Sequence, residues 1–193
     1  MPADEVCSAS LSDLVTELAR STLGAMELLD HNLDRIAERN DTVNALIQID
    51  DAAARRSARA SEQRRAAQQP LGELDGIPIV VKDNIDVAGL PTTNGLGMSR
   101  AARVDADVVK HMRAVGIIVL GKANMDEGAL SALSDNPHHG RIQHPQHPGL
   151  TPGGSSGGSA AALASGFCAA ALGTDTLGSV RLPAAYCLSL IHI

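Results

Sequence analysis

Leu11, Leu14, Val15 and Leu18 recur at helical spacing, with Ser10 or Ser12 ahead of them as an N-cap. Met26, Leu29, Leu33 and Ile36 carry the same period through a second segment. Residues 50–68 are rich in Ala, Arg and Gln and lack strand character, so the first third of the chain predicts a helical layer. The pattern then changes. Ile77 to Lys82 is a short apolar run ending in a lysine, Ala106 to Ala114 reads as a helix, Ile117 to Leu120 as a strand, and Asn124 to Leu133 as a helix. After a loop over 134–154 come a helix near 156–165 and a strand near 168–173. Short apolar strands alternating with helices predict an α/β sheet covered by helices, with no repeat or interdomain linker.

Composition narrows the picture in two ways. The 193 residues are 44% hydrophobic and 20% charged, an ordinary globular balance, yet Phe167 and Tyr186 are the only aromatics. Ala, Val, Leu and Ile must therefore fill the core, which demands close approach between elements. A net charge of −6 argues against a nucleic-acid-binding face, and no stretch is apolar for long enough to span a membrane. The acidic start, Met1 to Glu5, lacks the pattern of a secretory signal, so a cytoplasmic protein is expected. Cys7, Cys168 and Cys187 are odd in number and widely spaced, which predicts reduced thiols, with Cys168 as a small core residue.

The candidate chemistry lies in two glycine-lined turns and one lysine. Ser155 sits in the run from Pro152 to Ser159, and Ser179 in the run from Gly173 to Arg181. Turns of this kind aim several backbone N–H groups at one point, and amides converging beside a hydroxyl can serve both a nucleophile and the oxyanion its attack creates. Lys82 ends the apolar run that begins at Ile77. A free lysine titrates near ~10.4, so it works as a base near neutrality only when burial disfavours its charge. Asp175 and Arg181 bracket the second turn and are placed to pair across it, while Ser156 and Ser159 read as structural donors and caps. Other readings of these stretches stay open. The run Gly153 to Gly158 fits the glycine spacing of a phosphate-binding loop, with Ser159 where a lysine would stand, and Gly/Ser runs also serve as linkers. His138, His139, His144 and His147 cluster enough to raise metal binding.

Five stretches, in order, resemble the amidase signature family: Gly76-Ile77-Pro78 with Val81 to Asn84, Gly89 to Thr93, Leu120 to Met125, Pro152 to Ser159, and Gly173 to Arg181. The resemblance implies an α/β fold with a mixed sheet covered by helices and an N-terminal helical layer. It also implies a Ser-cisSer-Lys triad in which Ser179 is the nucleophile, Ser155 the cis-serine following Gly154, and Lys82 the base, all three joined by hydrogen bonds. The backbone N–H groups of Thr176, Leu177, Gly178 and Ser179 would hold the oxyanion, and Ala129, on the helix from Met125 to Ser131, would line the acyl pocket. The family carries glycine where this chain has Leu177, so a left-handed backbone there would strain the leucine by about 1 kcal/mol. The implied substrate is a small-molecule amide, with no cofactor, no metal, and no nucleic-acid or membrane partner. Two assemblies fit, a homodimer or an amidotransferase A subunit with its partner subunits, and an inactive fragment or small-ligand binding module is the reading from another class. The expected organisation is residues 1–187 as the N-terminal part of one incomplete amidase signature domain, with 188–193 as a non-native tail.

Overall fold

A computed structural model describes Val6 and residues 9–187; Cys7 and the tail at 188–193 lie outside the described residues. Ser10 starts the first helix, α1 (Leu11–Arg20), by accepting the Asp13 N–H at 3.2 Å, and Leu14 and Leu18 turn inward. Helix α2 (Ala25–Val43) buries Leu28, Leu29 and Ile36 and ends where Asn44 takes a left-handed φ of 54°. The chain then forms strand β1 (Leu46–Ile49), and Asp50 caps helix α3 (Asp51–Ala66) by accepting the Ala53 N–H at 3.0 Å. Helix α3 packs on α2 through a flat face of Ala54, Ala58 and Ser61. The helical layer is as the periodicity predicts. Strand β1 is not: its alternation of Leu46 and Gln48 is too short to stand out between two long helices.

The remaining elements are β2 (Pro78–Lys82), β3 (Pro91–Thr92), β4 (Arg100–Ala101), helix α4 (Asp107–Ala114), β5 (Ile118–Ala123), β6 (Asp135–Asn136), β7 (Gly140–Arg141), helix α5 (Gly157–Ala164), β8 (Ala170–Leu172) and helix α6 (Arg181–Tyr186). The main sheet has the order β1-β5-β2-β8, with β1 antiparallel to β5 and β2 parallel to both β5 and β8. Strands β2 and β5 are buried at every residue, as a sheet covered on both faces requires. The sheet is thus mixed and clad in helices. Strand β5 approaches β1 so closely that a Cβ on Gly121 would lie 2.0 Å from the Gln48 carbonyl oxygen. Cys168 and Cys187 are buried free thiols, and no described helix is long and apolar enough to cross a membrane.

The helix expected over Asn124–Leu133 does not form. The Asn124 side chain accepts its own neighbour's N–H at Met125, Asp126 is extended, and Gly128 and Ala129 both take left-handed φ values, 57° and 59°. A right-handed helix cannot continue through such residues, so only a single 3₁₀ turn remains at Glu127–Ala129. The expected loop at 134–154 contains the short β6–β7 ladder.

The sheet also carries a buried ion pair. Lys122 on β5 and Asp83, just past β2, are both fully buried with Nζ and Oδ1 3.4 Å apart. Asp83 in turn accepts the N–H groups of Thr93 and Gly95, and Lys122 reaches Thr92 Oγ1 at 3.1 Å. Removing one partner of such a pair strands an uncompensated charge. Lys122→Met is therefore expected to lower the unfolding free energy by about 3–5 kcal/mol, read from the urea midpoint, and a loss under about 1 kcal/mol would mean that the pair is not desolvated.

Candidate active site

Strand β2 delivers Lys82 into the interior, where the side chain is fully buried. Its Nζ lies 2.7 Å from Ser155 Oγ, 3.0 Å from Thr174 Oγ1 and 3.4 Å from the Thr174 carbonyl oxygen. Asn84 donates to the same Thr174 hydroxyl at 2.9 Å. Burial pushes the Lys82 amine down to about 8, against the opposing pull of the Asp126 and Asp175 charges. A neutral amine keeps a lone pair, so the short contact with Ser155 can run with the hydroxyl donating to nitrogen.

Ser155 is fully buried, and the Gly154–Ser155 peptide bond is cis, as the resemblance implies. The glycine-rich turn around it is tied down from all sides. Ser134 Oγ donates to the Gly153 carbonyl at 2.6 Å, and the Asp126 N–H donates to the Ser155 carbonyl at 3.3 Å. Ser156 Oγ donates to the Thr174 carbonyl at 3.2 Å and Ser159 Oγ to the Leu172 carbonyl at 3.0 Å, which gives these two serines the structural tasks expected of them. The turn leads directly into α5, whose first six residues are buried, so it is neither a free linker nor an open cradle. A Cβ on Gly158 would meet the Asn124 carbonyl oxygen at 2.2 Å.

The Ser179 turn is organised by one carboxylate. Asp175 accepts the N–H groups of Gly178, Val180 and Arg181 at 2.7, 3.0 and 3.2 Å, and the Arg181 guanidinium grips it at 2.9 and 3.1 Å. These donors hold the Asp175 carboxyl far below the usual carboxylate range. The turn docks on the first one through the Ser156 N–H, which donates to the Ser179 carbonyl at 3.0 Å.

The family profile named Amidase matches residues 27–189. The chain belongs to the amidase family. It is 39% identical over 188 residues to the A subunit of the glutamyl-tRNA(Gln) amidotransferase of Anaeromyxobacter sp. strain K, covering 96% of this chain and 38% of that protein. The corresponding protein of Solidesulfovibrio magneticus is 43% identical over 185 residues, 95% of this chain and 38% of that one. Among solved structures, the native peptide amidase of Stenotrophomonas maltophilia superposes with a TM-score of 0.87 at 32% identity, covering 92% of this chain and 38% of its own. The chain thus spans about 38% of the length of these relatives.

Within this amidase fold several expected features are placed differently. Lys82 and Ser155 are in contact, but among the described residues the Ser179 hydroxyl makes no hydrogen bond to Ser155, because the turn is positioned by its backbone and by Asp175. Leu177 does not take a positive φ; the left-handed position is Gly178, at 109°, so the leucine is unstrained and 96% exposed. The Gly178 N–H is already spent on Asp175, which removes it from the expected oxyanion donors as the turn stands. The N–H groups of Thr176, Leu177 and Ser179 have no acceptor among the described residues. Ala129 is half-buried, on the 3₁₀ turn rather than a helix. The histidines take separate partners, His138 facing Glu127, His139 facing Thr93, and His144 facing the Tyr186 carbonyl, and the described residues contain no cluster able to hold a metal.

Sequence reasoning missed Thr174 and Asp126. Thr174 lies inside a matched stretch, and its β-branched hydroxyl one residue before Asp175 was its only signal. Asp126 was hidden by the helix expected around it.

The lysine provides a direct check. In protein labelled with 13C-lysine, the Lys82 Cε resonance is expected to titrate near pH 8, well below the ordinary ~10.4. Between about 8 and the ordinary lysine value the unfolded chain binds the proton that the folded chain lacks, so this group's contribution to stability rises with pH across that window. A midpoint above about pH 10 would show the amine to be solvated.

Proposed function

We propose that this chain carries the acyl-transfer centre of an amide hydrolase in which Ser179 is the nucleophile, Ser155 the relay and Lys82 the base. The observation that carries the reading is the 2.7 Å contact between a fully buried amine, depressed to about 8, and the Ser155 hydroxyl. A base poised near the working pH combines a usable neutral fraction with real proton affinity. Once the Ser179 hydroxyl, unbonded among the described residues, turns onto Ser155, Lys82 accepts the Ser155 proton as Ser155 takes the proton of Ser179, and Ser179 Oγ bonds to the amide carbonyl carbon. The carbonyl oxygen, now an oxyanion, is met by the N–H groups of Thr176, Leu177 and Ser179. Collapse breaks the C–N bond as the proton returns through Ser155 to the leaving nitrogen, releasing ammonia or an amine. Water repeats the sequence on the acyl-enzyme and regenerates Ser179.

The match to two amidotransferase A subunits, with 39% and 43% identity, favours a narrower version, in which the amide is that of glutamine and the ammonia is passed to partner subunits for tRNA-dependent amidation. Ammonia release from glutamine that rises on adding such subunits would support it over a free amidase, which needs none.

The shared chemistry is tested by mass spectrometry of the chain after reaction with a small p-nitrophenyl carboxylate ester. The expected result is one acyl group on Ser179, absent from Ser179→Ala, with acylation slowed about 10²- to 10⁴-fold in Lys82→Ala. Label that persists in Ser179→Ala would move the nucleophile elsewhere, and a chain that never labels would favour a non-catalytic binding module.

A further inference from the structure

Asp126 is a second buried titratable group beside this centre, and the mechanism above does not use it. It is 1% exposed, and neither carboxylate oxygen has a hydrogen-bond partner among the described residues. Its position is nevertheless tightly constrained. A Cβ on Gly154 would lie 1.9 Å from Asp126 Oδ2, so the carboxylate presses against the residue that precedes Ser155, and the Asp126 N–H donates to the Ser155 carbonyl. The same segment packs Ala132 on Gly154 and Ser134 on Gly153. A buried, unpartnered carboxylate is costly unless a charge nearby compensates it.

We propose that Asp126 is a positioning residue for the Lys82–Ser155 pair, its main chain holding the serine and its carboxylate supplying the fixed counter-charge for the ammonium that Lys82 becomes on accepting the serine proton. This rests on the assignment of Lys82 as base. The other groups facing Lys82 leave that task to Asp126. Asp175, whose charge also reaches Lys82, is committed to Arg181 and to three backbone N–H groups. The Ser131 hydroxyl and the amides of Ser134 and Asp135 lie around Asp126 without meeting hydrogen-bond geometry, and burial outweighs them and the Lys82 charge, holding its carboxyl above the usual carboxylate range. Glu127, the next residue, pairs outward with His138 at 3.2 Å.

The test is Asp126→Asn, isosteric but uncharged, read by the 13Cε titration of Lys82 and by the pH profile of Ser179 acylation. Both midpoints are expected to move to lower pH by about 1 unit, because the charged amine loses a nearby negative charge. Midpoints that coincide with the parent's, or move upward, overturn the proposal. Should Asp126→Asn lose its cooperative thermal transition, the reciprocal measurement decides: in Lys82→Met the 13Cγ resonance of Asp126 is expected to titrate at higher pH than in the parent, and an unmoved resonance overturns the proposal equally. Acylation of Ser179 in the parent tests the catalytic assignment separately, since both NMR titrations read the charge coupling whether or not any acyl group transfers.

Discussion

The desolvated amine of Lys82 is the constraint on which the rest of this site depends. A lysine at the end of a strand is usually solvated, and its charge then makes it useless as a base at neutral pH. Here β2 lies inside the sheet between β5 and β8, and all five of its residues are buried. The sheet holds a second buried lysine, and the contrast between the two is instructive. Lys122 is matched by Asp83 at 3.4 Å, while Lys82, one residue before that same aspartate, meets hydroxyls from Ser155 and Thr174. Burial pulls both amines down, but at Lys122 a carboxylate in contact opposes that pull, whereas the nitrogen of Lys82 meets uncharged oxygens.

Keeping that amine dry requires close packing, and the near absence of aromatic residues makes it possible. Helix α5 buries glycine, serine and alanine at its start, and the carbonyl oxygens of Asn124 and Ala45 would lie 2.2 and 2.6 Å from a Cβ on Gly158. The result is that the strand end, the cis turn and the Thr174 segment interlock through backbone and short hydroxyls. Little rotamer freedom is left to lose, so the distances between functional groups are set by the main chain.

The two halves of the site differ in their surroundings. The Lys82–Ser155 side is fully buried, whereas Asp175, Thr176 and Leu177 are exposed in a chain that spans about 38% of its relatives' length. Electrostatic stabilisation of an oxyanion is strongest where water is excluded. Asp175 compensates in part by fixing the turn with backbone and guanidinium donors, so the free amides beside Ser179 are held in place without a protein cover.

Helical periodicity located α1 and α2, continuous apolar runs located β2 and β5, and the ordered glycine, serine and lysine motifs pointed to Lys82, Ser155 and Ser179, because local spacing encodes those features directly. The same reasoning failed at Asn124–Leu133, where an apolar spacing concealed two consecutive left-handed residues, and at β1, whose four residues are a strand only because β5 offers them a partner. By itself the sequence determined the family, the main run of elements and the chemical groups on offer. Tertiary structure alone decided that the Ser179 hydroxyl stands free, that Gly178 rather than Leu177 absorbs the turn, that the Gly178 N–H serves Asp175, and that Asp126 lies against the cis turn. Those outcomes depend on distances between segments far apart along the chain, and burial and hydrogen-bond competition between such segments leave no periodic trace in any one of them.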